Sequence, residues 1–175
     1  MNDLSTTTMD TPVGRLTLVA GERGLRAVLW PNERPGRVPV GDAAAETAAE
    51  SEKGNPSADA ILRDAVQQLE EYFSGERHDF DLPLDPVGTE FQLQAWQVLR
   101  TIPYGQTISY GEQAARLGDK NKSRAVGAAN GRNPISIIVP CHRVVGSTGK
   151  LTGFAAGVDA KAWLLQHEQG GRLPV

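Results

Sequence analysis

The chain has 175 residues, of which 39% are hydrophobic and 22% charged, a composition typical of a globular protein with a sizeable core. No apolar run approaches the roughly 20 residues of a membrane-spanning helix. Residues 1–10 lack the basic and apolar regions of a signal peptide, so we expect a cytoplasmic protein that contacts no membrane. The single cysteine, Cys141, excludes an internal disulfide and a multi-cysteine zinc site.

The net charge of −3 conceals an asymmetry between the two halves of the chain. Residues 1–85 carry 16 acidic and 8 basic side chains, whereas residues 86–175 carry 5 acidic and 10 basic ones. A local excess of positive charge suits a polyanion such as DNA, because neutralised phosphates release counterions. Charge alone does not distinguish such a surface from a solvated basic face.

The first part of the chain predicts a small antiparallel meander followed by a loop. Residues 5–30 contain runs rich in Thr, Val and Leu, separated by turn-forming segments at residues 12–14 and 21–24. Residues 31–56 are dominated by Pro, Gly, Ala and Glu and predict a long surface loop.

One helix is predicted after the loop. Ser57 resembles a helix N-cap and Gly75 a helix end. The apolar residues between them follow a helical period: Ile61, Leu62, Ala65, Val66, Leu69 and Phe73. Asp79 to Leu84 suggests one more strand, and residues 85–88 suggest a domain boundary. We therefore expect an N-terminal domain of sheet plus helix over residues 1–84.

The second half, residues 86–175, predicts a mainly helical domain. Thr89 with Gln92 forms a capping-box pattern, and Ser109 with Glu112 forms another. The helix that opens at Ser109 ends at Gly118, and a short loop leads to a second short helix over residues 122–130. Two short helices joined by a tight turn predict a helix-turn-helix. The second helix has small side chains, which permit close approach either to a ligand or to another helix.

The remainder of this half surrounds the cysteine. The apolar run at residues 135–139 should be buried, and Pro140 ends it just before Cys141. Glycine-rich residues 146–150 predict a hairpin or wing, and the last helix should run from Val158 to Glu168.

Cys141 lies beside a histidine and an arginine. A cysteine reacts as its thiolate, and a neighbouring histidine or positive charge lowers its pKa from about 8.5. Successive residues of an extended strand point to opposite faces, so a contact between Cys141 and His142 requires a turn or a bridging water. An activated nucleophile also needs a third group that orients its base.

Residues 140–145, Pro-Cys-His-Arg-Val-Val, resemble the active-site motif of the 6-O-methylguanine-DNA methyltransferases. Four other segments match that family in order and spacing: Ile108-Ser109-Tyr110, residues 123–127, Asn133-Pro134 and residues 161–168. The resemblance implies irreversible transfer of a methyl group from 6-O-methylguanine in duplex DNA, and from 4-O-methylthymine, to the protein's own cysteine. It also implies an α/β (α+β) fold, with an RNase H-like N-terminal domain and a C-terminal winged helix-turn-helix.

The resemblance assigns catalytic roles to five residues. Cys141 would be the acceptor thiolate. His142 would take its proton through a water, and Glu168 would orient His142. Asn133 would organise the turn around the active-site segment, and Tyr110 would donate a proton to the departing guanine.

The resemblance also assigns contacts with DNA and with the damaged base. Arg124 would fill the gap left by the extruded base, and Lys161 would brace the site. Four residues are expected to lie against DNA: Ser109, Ala129, Pro140 and Ser147. Four others are expected to line the base pocket: Val144, Phe154, Ala155 and Ala156. The base must leave the stack because its reactive oxygen is hidden in the duplex. A small-sided helix fits the minor groove, which is about 6 Å wide.

The sequence departs from the commonest family pattern at Ala156, whose methyl group narrows the rim of the expected base pocket. Methylguanine should still enter, but the resemblance does not extend to benzyl-sized substrates. We expect no metal, because the cysteines that bind zinc in some relatives are absent, and no cofactor. We also expect a monomer, because one lesion has no two-fold symmetry to match a dimer.

Two other readings predict different behaviour. A lesion-binding alkyltransferase-like protein, or a winged-helix regulator, would bind DNA without transfer; the former replaces the acceptor cysteine, which is present here. A cysteine hydrolase would turn over esters or amides and leaves the helix-turn-helix without a purpose.

Overall fold

The computed structural model describes residues 4–33, 37–38, 56–146 and 157–170. Contacts divide the chain into two compact units, Met1–Val87 and Gly88–Val175. The first combines a small sheet with one helix and the second is mainly helical, which confirms the predicted α/β class. No helix within the described ranges is both long and apolar enough to cross a membrane.

The sheet of the first unit is the predicted meander. It consists of β1 (Ser5–Thr11), β2 (Gly14–Gly21) and β3 (Gly24–Leu29), paired antiparallel in that order. In β1 only Ser5, Thr6 and Met9 are buried, whereas β2 and β3 are buried along most of their length. The register shifts between Val19 and Ala20, where β2 pairs with β3.

The helix of this unit, α1 (Pro56–Ser74), packs on the sheet. It begins at Pro56, one residue before the expected cap, since the fixed φ of proline suits a first helical turn. Its buried face consists of Ala58, Leu62, Ala65, Leu69 and Tyr72. Of the predicted stripe, Leu62, Ala65 and Leu69 are buried, whereas Ile61, Val66 and Phe73 are half-buried and Tyr72 is buried instead. The helix ends before Gly75, whose φ of +88° is the left-handed conformation expected there.

The strand predicted over Asp79 to Leu84 is wrong. This segment forms a single isolated bridge, between Leu84 and Leu25. The Leu25 N–H donates to Pro83 O at 2.8 Å, and the Asp85 N–H donates to Leu25 O at 2.9 Å. Pro83 has no N–H to extend the ladder, so the pairing stops after one bridge.

The second unit contains four helices among its described residues: α2 (Glu90–Leu99), α3 (Tyr110–Arg116), α4 (Ser123–Gly131) and α5 (Val158–Glu168). Thr89 and Gln92 form the predicted capping box at the start of α2. The Ser109 hydroxyl accepts the Glu112 N–H at 3.0 Å and caps α3. A short 3-10 helix, Lys120–Lys122, precedes α4.

Buried polar contacts fix the packing of α2, α3 and α4. The Trp96 indole N–H donates to Ala129 O at 2.8 Å. Gln113 and Asn130 exchange side-chain hydrogen bonds at 3.0 and 2.8 Å, and Gln113 also donates to Ala95 O at 3.1 Å. Because these groups lie away from water, their pairing specifies one arrangement of the three helices.

A short parallel pair connects two distant segments of this unit. In it, β4 (Ile108–Ser109) pairs with β5 (Val144–Val145). Since β4 leads directly into α3 and β5 follows the Cys141 segment, the pairing brings the start of α3 to the cysteine. The hairpin predicted at residues 146–150 lies outside the described residues after Gly146.

Candidate active site

Cys141 lies in a turn that begins where the buried segment ends. Residues 135–139 are buried as predicted. Pro140 then leads into a 3-10 helix, Cys141–Arg143, so the turn required for a cysteine–histidine contact is present. Cys141 forms no disulfide, and 6% of its surface is exposed. The residue is therefore largely shielded from solvent.

Asn133 holds the segment that leads to Cys141. Its amide Nδ2 donates to Val139 O at 2.8 Å, and its Oδ1 accepts the Ile135 N–H at 3.0 Å. The Cys141 N–H also donates to Val139 O, at 2.9 Å. Between them Ile137 has a φ of +75°, an unfavourable conformation for a β-branched residue. The Asn133 side chain thus stabilises a strained turn two residues before the cysteine segment.

His142 and Glu168 form a fully buried pair. His142 Nε2 lies 2.7 Å from Glu168 Oε2, and neither side chain is exposed. The carboxylate oxygen can only accept from an imidazole N–H, so Nε2 carries the hydrogen. His142 Nδ1 is buried and has no hydrogen-bond partner among the described residues. The pair therefore leaves one ring nitrogen as an acceptor.

Arg143 also binds the Glu168 carboxylate. Its Nε donates to Glu168 Oε1 at 2.7 Å and its Nη2 to Glu168 Oε2 at 3.0 Å. Its Nη1 donates to Ile102 O at 2.6 Å, and its guanidinium lies over the Tyr104 ring, 5.7 Å from the centroid. Bidentate geometry of this kind gives strong, directional contacts.

Burial and charge act oppositely on this pair. Burial lowers the pKa of His142, against the opposing charge and hydrogen bond of Glu168. Burial alone would raise the pKa of Glu168, but the charge and hydrogen bond of His142, together with those of Arg143, hold that pKa well below its usual range. Glu168 is therefore held as the carboxylate, and burial favours the neutral form of His142.

Lys161 supplies a second buried cation. It is completely buried on α5, and its Nζ lies 5.8 Å from the centroid of the Tyr110 ring. Burial lowers the pKa of Lys161, and the charge of the Cys141 thiolate opposes this shift. By the same interaction, the ammonium stabilises the thiolate.

The exposed side of α4 is a candidate DNA surface. Arg124, Ala125 and Ala128 are exposed, and Gly127 is half-buried. A Cβ placed on Gly127 would lie 3.8 Å from the Tyr110 ring, so α4 approaches the start of α3 closely. Some of the small residues on this helix are therefore exposed and available to a ligand, and others pack against a neighbouring helix.

Two family models match the two units of the chain. Residues 4–86 match the ribonuclease-like domain of 6-O-methylguanine DNA methyltransferase, and residues 90–170 match its DNA-binding domain. The chain belongs to the 6-O-methylguanine DNA methyltransferase family. This confirms the resemblance inferred from the sequence, and the N-terminal match extends it to the half where the motifs were weak.

Individual members of the 6-O-methylguanine DNA methyltransferase family are similar along nearly the whole chain. A methylated-DNA–protein-cysteine methyltransferase of Methanosarcina acetivorans is 45% identical, over 91% of this chain and 94% of its own. One of Mycolicibacterium paratuberculosis is 46% identical, over 93% of this chain and 90% of its own. The crystal structure of Mycobacterium tuberculosis OGT in complex with DNA has a TM-score of 0.78 and 43% identity, over 94% of this chain and 92% of that one.

The fold brings together most of the catalytic residues that the family resemblance assigned. His142 contacts Glu168, Tyr110 contacts Lys161, and Asn133 shares an acceptor with Cys141. Val144, expected in the base pocket, is fully buried in β5. Their roles in the reaction stay predictions.

The residues expected against DNA are less uniform. Arg124 is exposed and Ser109 is half-buried at the start of α3. Ala129 and Pro140 are buried, because Ala129 packs under Trp96 and Pro140 belongs to the buried segment. Their side chains therefore do not lie on the exposed surface. Four further site residues lie outside the described residues: Ser147, Phe154, Ala155 and Ala156.

The sequence assigned no role to Arg143. Its position next to His142 indicated a positive charge near Cys141, but the sequence does not reveal which group the Arg143 side chain binds. Only the fold shows that it binds Glu168, 25 residues away. A basic residue inside a buried motif was the available signal, since arginine is rarely buried without a partner.

Proposed function

We propose that this protein is a methylated-DNA–protein-cysteine methyltransferase, which moves the methyl group of 6-O-methylguanine in duplex DNA onto Cys141. The observation that carries the proposal is the buried His142–Glu168 pair beside the single cysteine, in a chain that belongs to this family. By the same chemistry, 4-O-methylthymine is a second substrate.

The reaction is a direct displacement at carbon. The Cys141 Sγ anion attacks the methyl carbon, a C–S bond forms, and the C–O bond breaks with its electron pair going to the guanine oxygen. The restored guanine takes up one proton, for which Tyr110 is the donor. The product is a thioether, and the protein has no group that could reverse it. Each molecule therefore reacts once.

His142 acts as the base. Glu168 accepts the Nε2 hydrogen, which leaves Nδ1 free to accept a proton. We place a bridging water between the Cys141 thiol and Nδ1, as the sequence resemblance implies. Lys161 stabilises the resulting thiolate by its charge. Asn133 holds the turn that sets the direction of the sulfur.

DNA binds through α3 and α4. We place the exposed small residues of α4 in the minor groove, with Arg124 filling the stack after the base leaves it. Extrusion of the base costs a few kcal/mol, and an inserted side chain offsets part of this cost. Ser109 and Ser147 contact the DNA backbone in this arrangement, whereas the buried side chains of Ala129 and Pro140 do not. Since lesions occur in any sequence, contacts to phosphate should dominate.

The extruded base enters a pocket bounded by Val144 and by the predicted loop Phe154-Ala155-Ala156. We propose that the protein acts as a monomer in the cytoplasm. A reducing compartment suits a protein whose single cysteine must remain a thiol, and one damaged base presents no two-fold symmetry.

The test is intact-protein and peptide mass spectrometry after incubation with a duplex that contains one 6-O-methylguanine. We expect the Cys141 peptide to gain the mass of one CH2 group, one methyl group to be transferred per protein molecule, and Cys141→Ser to transfer none. A duplex with 4-O-methylthymine should give the same product.

Other outcomes identify the alternatives. Tight binding to the lesion with unmodified Cys141 would indicate a non-catalytic alkyltransferase-like protein. Repair of many duplexes by one molecule, or transfer by Cys141→Ser, would overturn the proposal. Turnover of esters with no effect on methylated DNA would indicate a cysteine hydrolase.

A further inference from the structure

Arg143 contacts the buried carboxylate of the candidate site as well as the backbone of the fold. It is 5% exposed and donates to both oxygens of Glu168, while its third donor goes to Ile102 O. The Glu168 side chain is completely shielded from water. A buried carboxylate is costly unless a cation neutralises it, and Arg143 is the cation in direct contact.

The charges around His142 follow from this pairing. Three charged groups act on it, Glu168, Arg143 and Lys161, and the titratable Cys141 precedes it in the chain. Glu168 favours an imidazolium, whereas Arg143 and Lys161 disfavour it. With Arg143 and Glu168 neutralising each other, His142 can remain uncharged before the reaction.

We propose that Arg143 is a positioning residue for methyl transfer: it neutralises the buried Glu168 carboxylate and thereby keeps His142 uncharged and able to accept the Cys141 proton. This inference rests on the proposed function, because it concerns the proton that leaves the cysteine before the displacement. Its proton balance is simple. One proton moves from Cys141 Sγ to His142 Nδ1, and the imidazolium then lies between Glu168 and the thiolate.

Removal of Arg143 changes that balance. The His142–Glu168 pair alone would carry one uncompensated buried negative charge, and uptake of a single proton cancels it. The proton that the pair binds from solvent occupies the base before Cys141 can use it. Proton transfer from the thiol is then blocked until the pH is high enough to remove the extra proton.

The bidentate contact also fixes the plane of the carboxylate. Arg143 Nη2 and His142 Nε2 both donate to Glu168 Oε2, at 3.0 and 2.7 Å. Arg143 thus controls both the charge and the orientation of Glu168. A lysine can replace the charge but not the two parallel hydrogen bonds. The two contributions can therefore be separated by substitution.

The experiment compares Arg143→Gln with Arg143→Lys as its matched control. Single-turnover transfer to Cys141 is measured from about pH 5 to about pH 9, across the range where a histidine titrates. For Arg143→Gln we expect an acid limb displaced upward by about one pH unit, the shift that a tenfold change in proton affinity produces, so that the rate is about tenfold lower on that limb. Arg143→Lys should be slower than wild type with its acid limb unmoved.

A double variant tests the electrostatic origin of the shift. Arg143→Gln combined with Glu168→Gln removes both charges, so the pair has no reason to bind a proton. Its acid limb should return to or below the wild-type position, although transfer stays slow. A limb that remains displaced in the double variant, or that moves equally in Arg143→Lys, would overturn the proposal.

Nitrogen-15 NMR of the His142 side chain gives a readout independent of DNA. In the wild-type protein we expect a neutral ring with hydrogen on Nε2 at pH 7, and in Arg143→Gln a ring or carboxyl that has gained a proton. A charged His142 in the wild type at pH 7 refutes the inference even if Arg143→Gln fails to fold. A wild-type protein that leaves methylated DNA intact refutes the proposed function instead, and the NMR titration still decides the charge state.

Discussion

Substitution of Asn133 by alanine should destabilise the second unit by an amount that its hydrogen bonds determine. Its side chain is 1% exposed, so the groups it serves have no access to water. The Ile135 N–H donates to its Oδ1. Val139 O accepts from its Nδ2 but also accepts from the Cys141 N–H, so the carbonyl keeps one partner.

The magnitude follows from that difference. An unsatisfied buried N–H at Ile135 costs about 1–3 kcal/mol, and the lost bond to Val139 O about 0.5–1.5 kcal/mol. The sum predicts that Asn133→Ala lowers the free energy of unfolding by about 1.5–4.5 kcal/mol. The rate of transfer to Cys141 should fall as well, because Val139 O also orders the cysteine turn.

The assay is urea unfolding followed by far-ultraviolet circular dichroism, with single-turnover transfer measured below the unfolding midpoint. Asn121→Ala is the matched control, since Asn121 is exposed and its loss should change stability by less than about 0.5 kcal/mol. If Asn133→Ala behaves like this control, the turn does not depend on the amide, and the reasoning fails.

Three further predictions concern capping, helix packing and pH. Thr89→Ala removes the cap of α2 and should lower the free energy of unfolding by about 1 kcal/mol in urea melts. Trp96→Phe removes the indole hydrogen bond to the Ala129 carbonyl, which still accepts the Arg132 N–H at 3.0 Å, and should cost about 0.5–1.5 kcal/mol by the same measurement. The pKa of His142 and that of Glu168 are both lowered in the folded protein, so the unfolded chain binds more protons in acid. Their stabilising contribution is therefore complete above about pH 6.5 and declines as the pH falls below about 6.5 for His142 and about 4.3 for Glu168, which thermal melts across pH measure.

Each of these three predictions has an outcome that would contradict it. Thr89→Ser keeps the hydroxyl and should retain most of the stability, so an equal loss in both variants would contradict the capping explanation. A Trp96→Phe protein as stable as wild type would mean that the indole hydrogen bond is not needed. If the melting temperature of the protein rises on acidification from pH 7 to about pH 5, the sign of the shift at His142 is wrong.

Local patterns were sufficient for much of the fold. Alternating Thr, Val and Leu predicted the three strands of the meander, and glycine and serine or threonine signals placed the ends of most helices. They failed at Asp79 to Leu84, where the composition suited a strand but Pro83 could not donate to a ladder. A strand forms only where a second segment can pair with it through backbone hydrogen bonds, and a local sequence pattern does not show whether such a segment lies beside it in the fold.

The sequence by itself identified the candidate reactive centre of this protein: one cysteine, adjacent to a histidine, in a motif that resembles that of the family to which the chain belongs. The tertiary structure alone decided which further contacts surround that centre. Arg143 binds the Glu168 carboxylate that the resemblance had paired with His142 alone, and Ala129 is buried on a helix whose small residues looked equivalent in the sequence. Residue types are fixed by the chain, but the direction of a side chain and the charge of a buried group depend on what packing places against them.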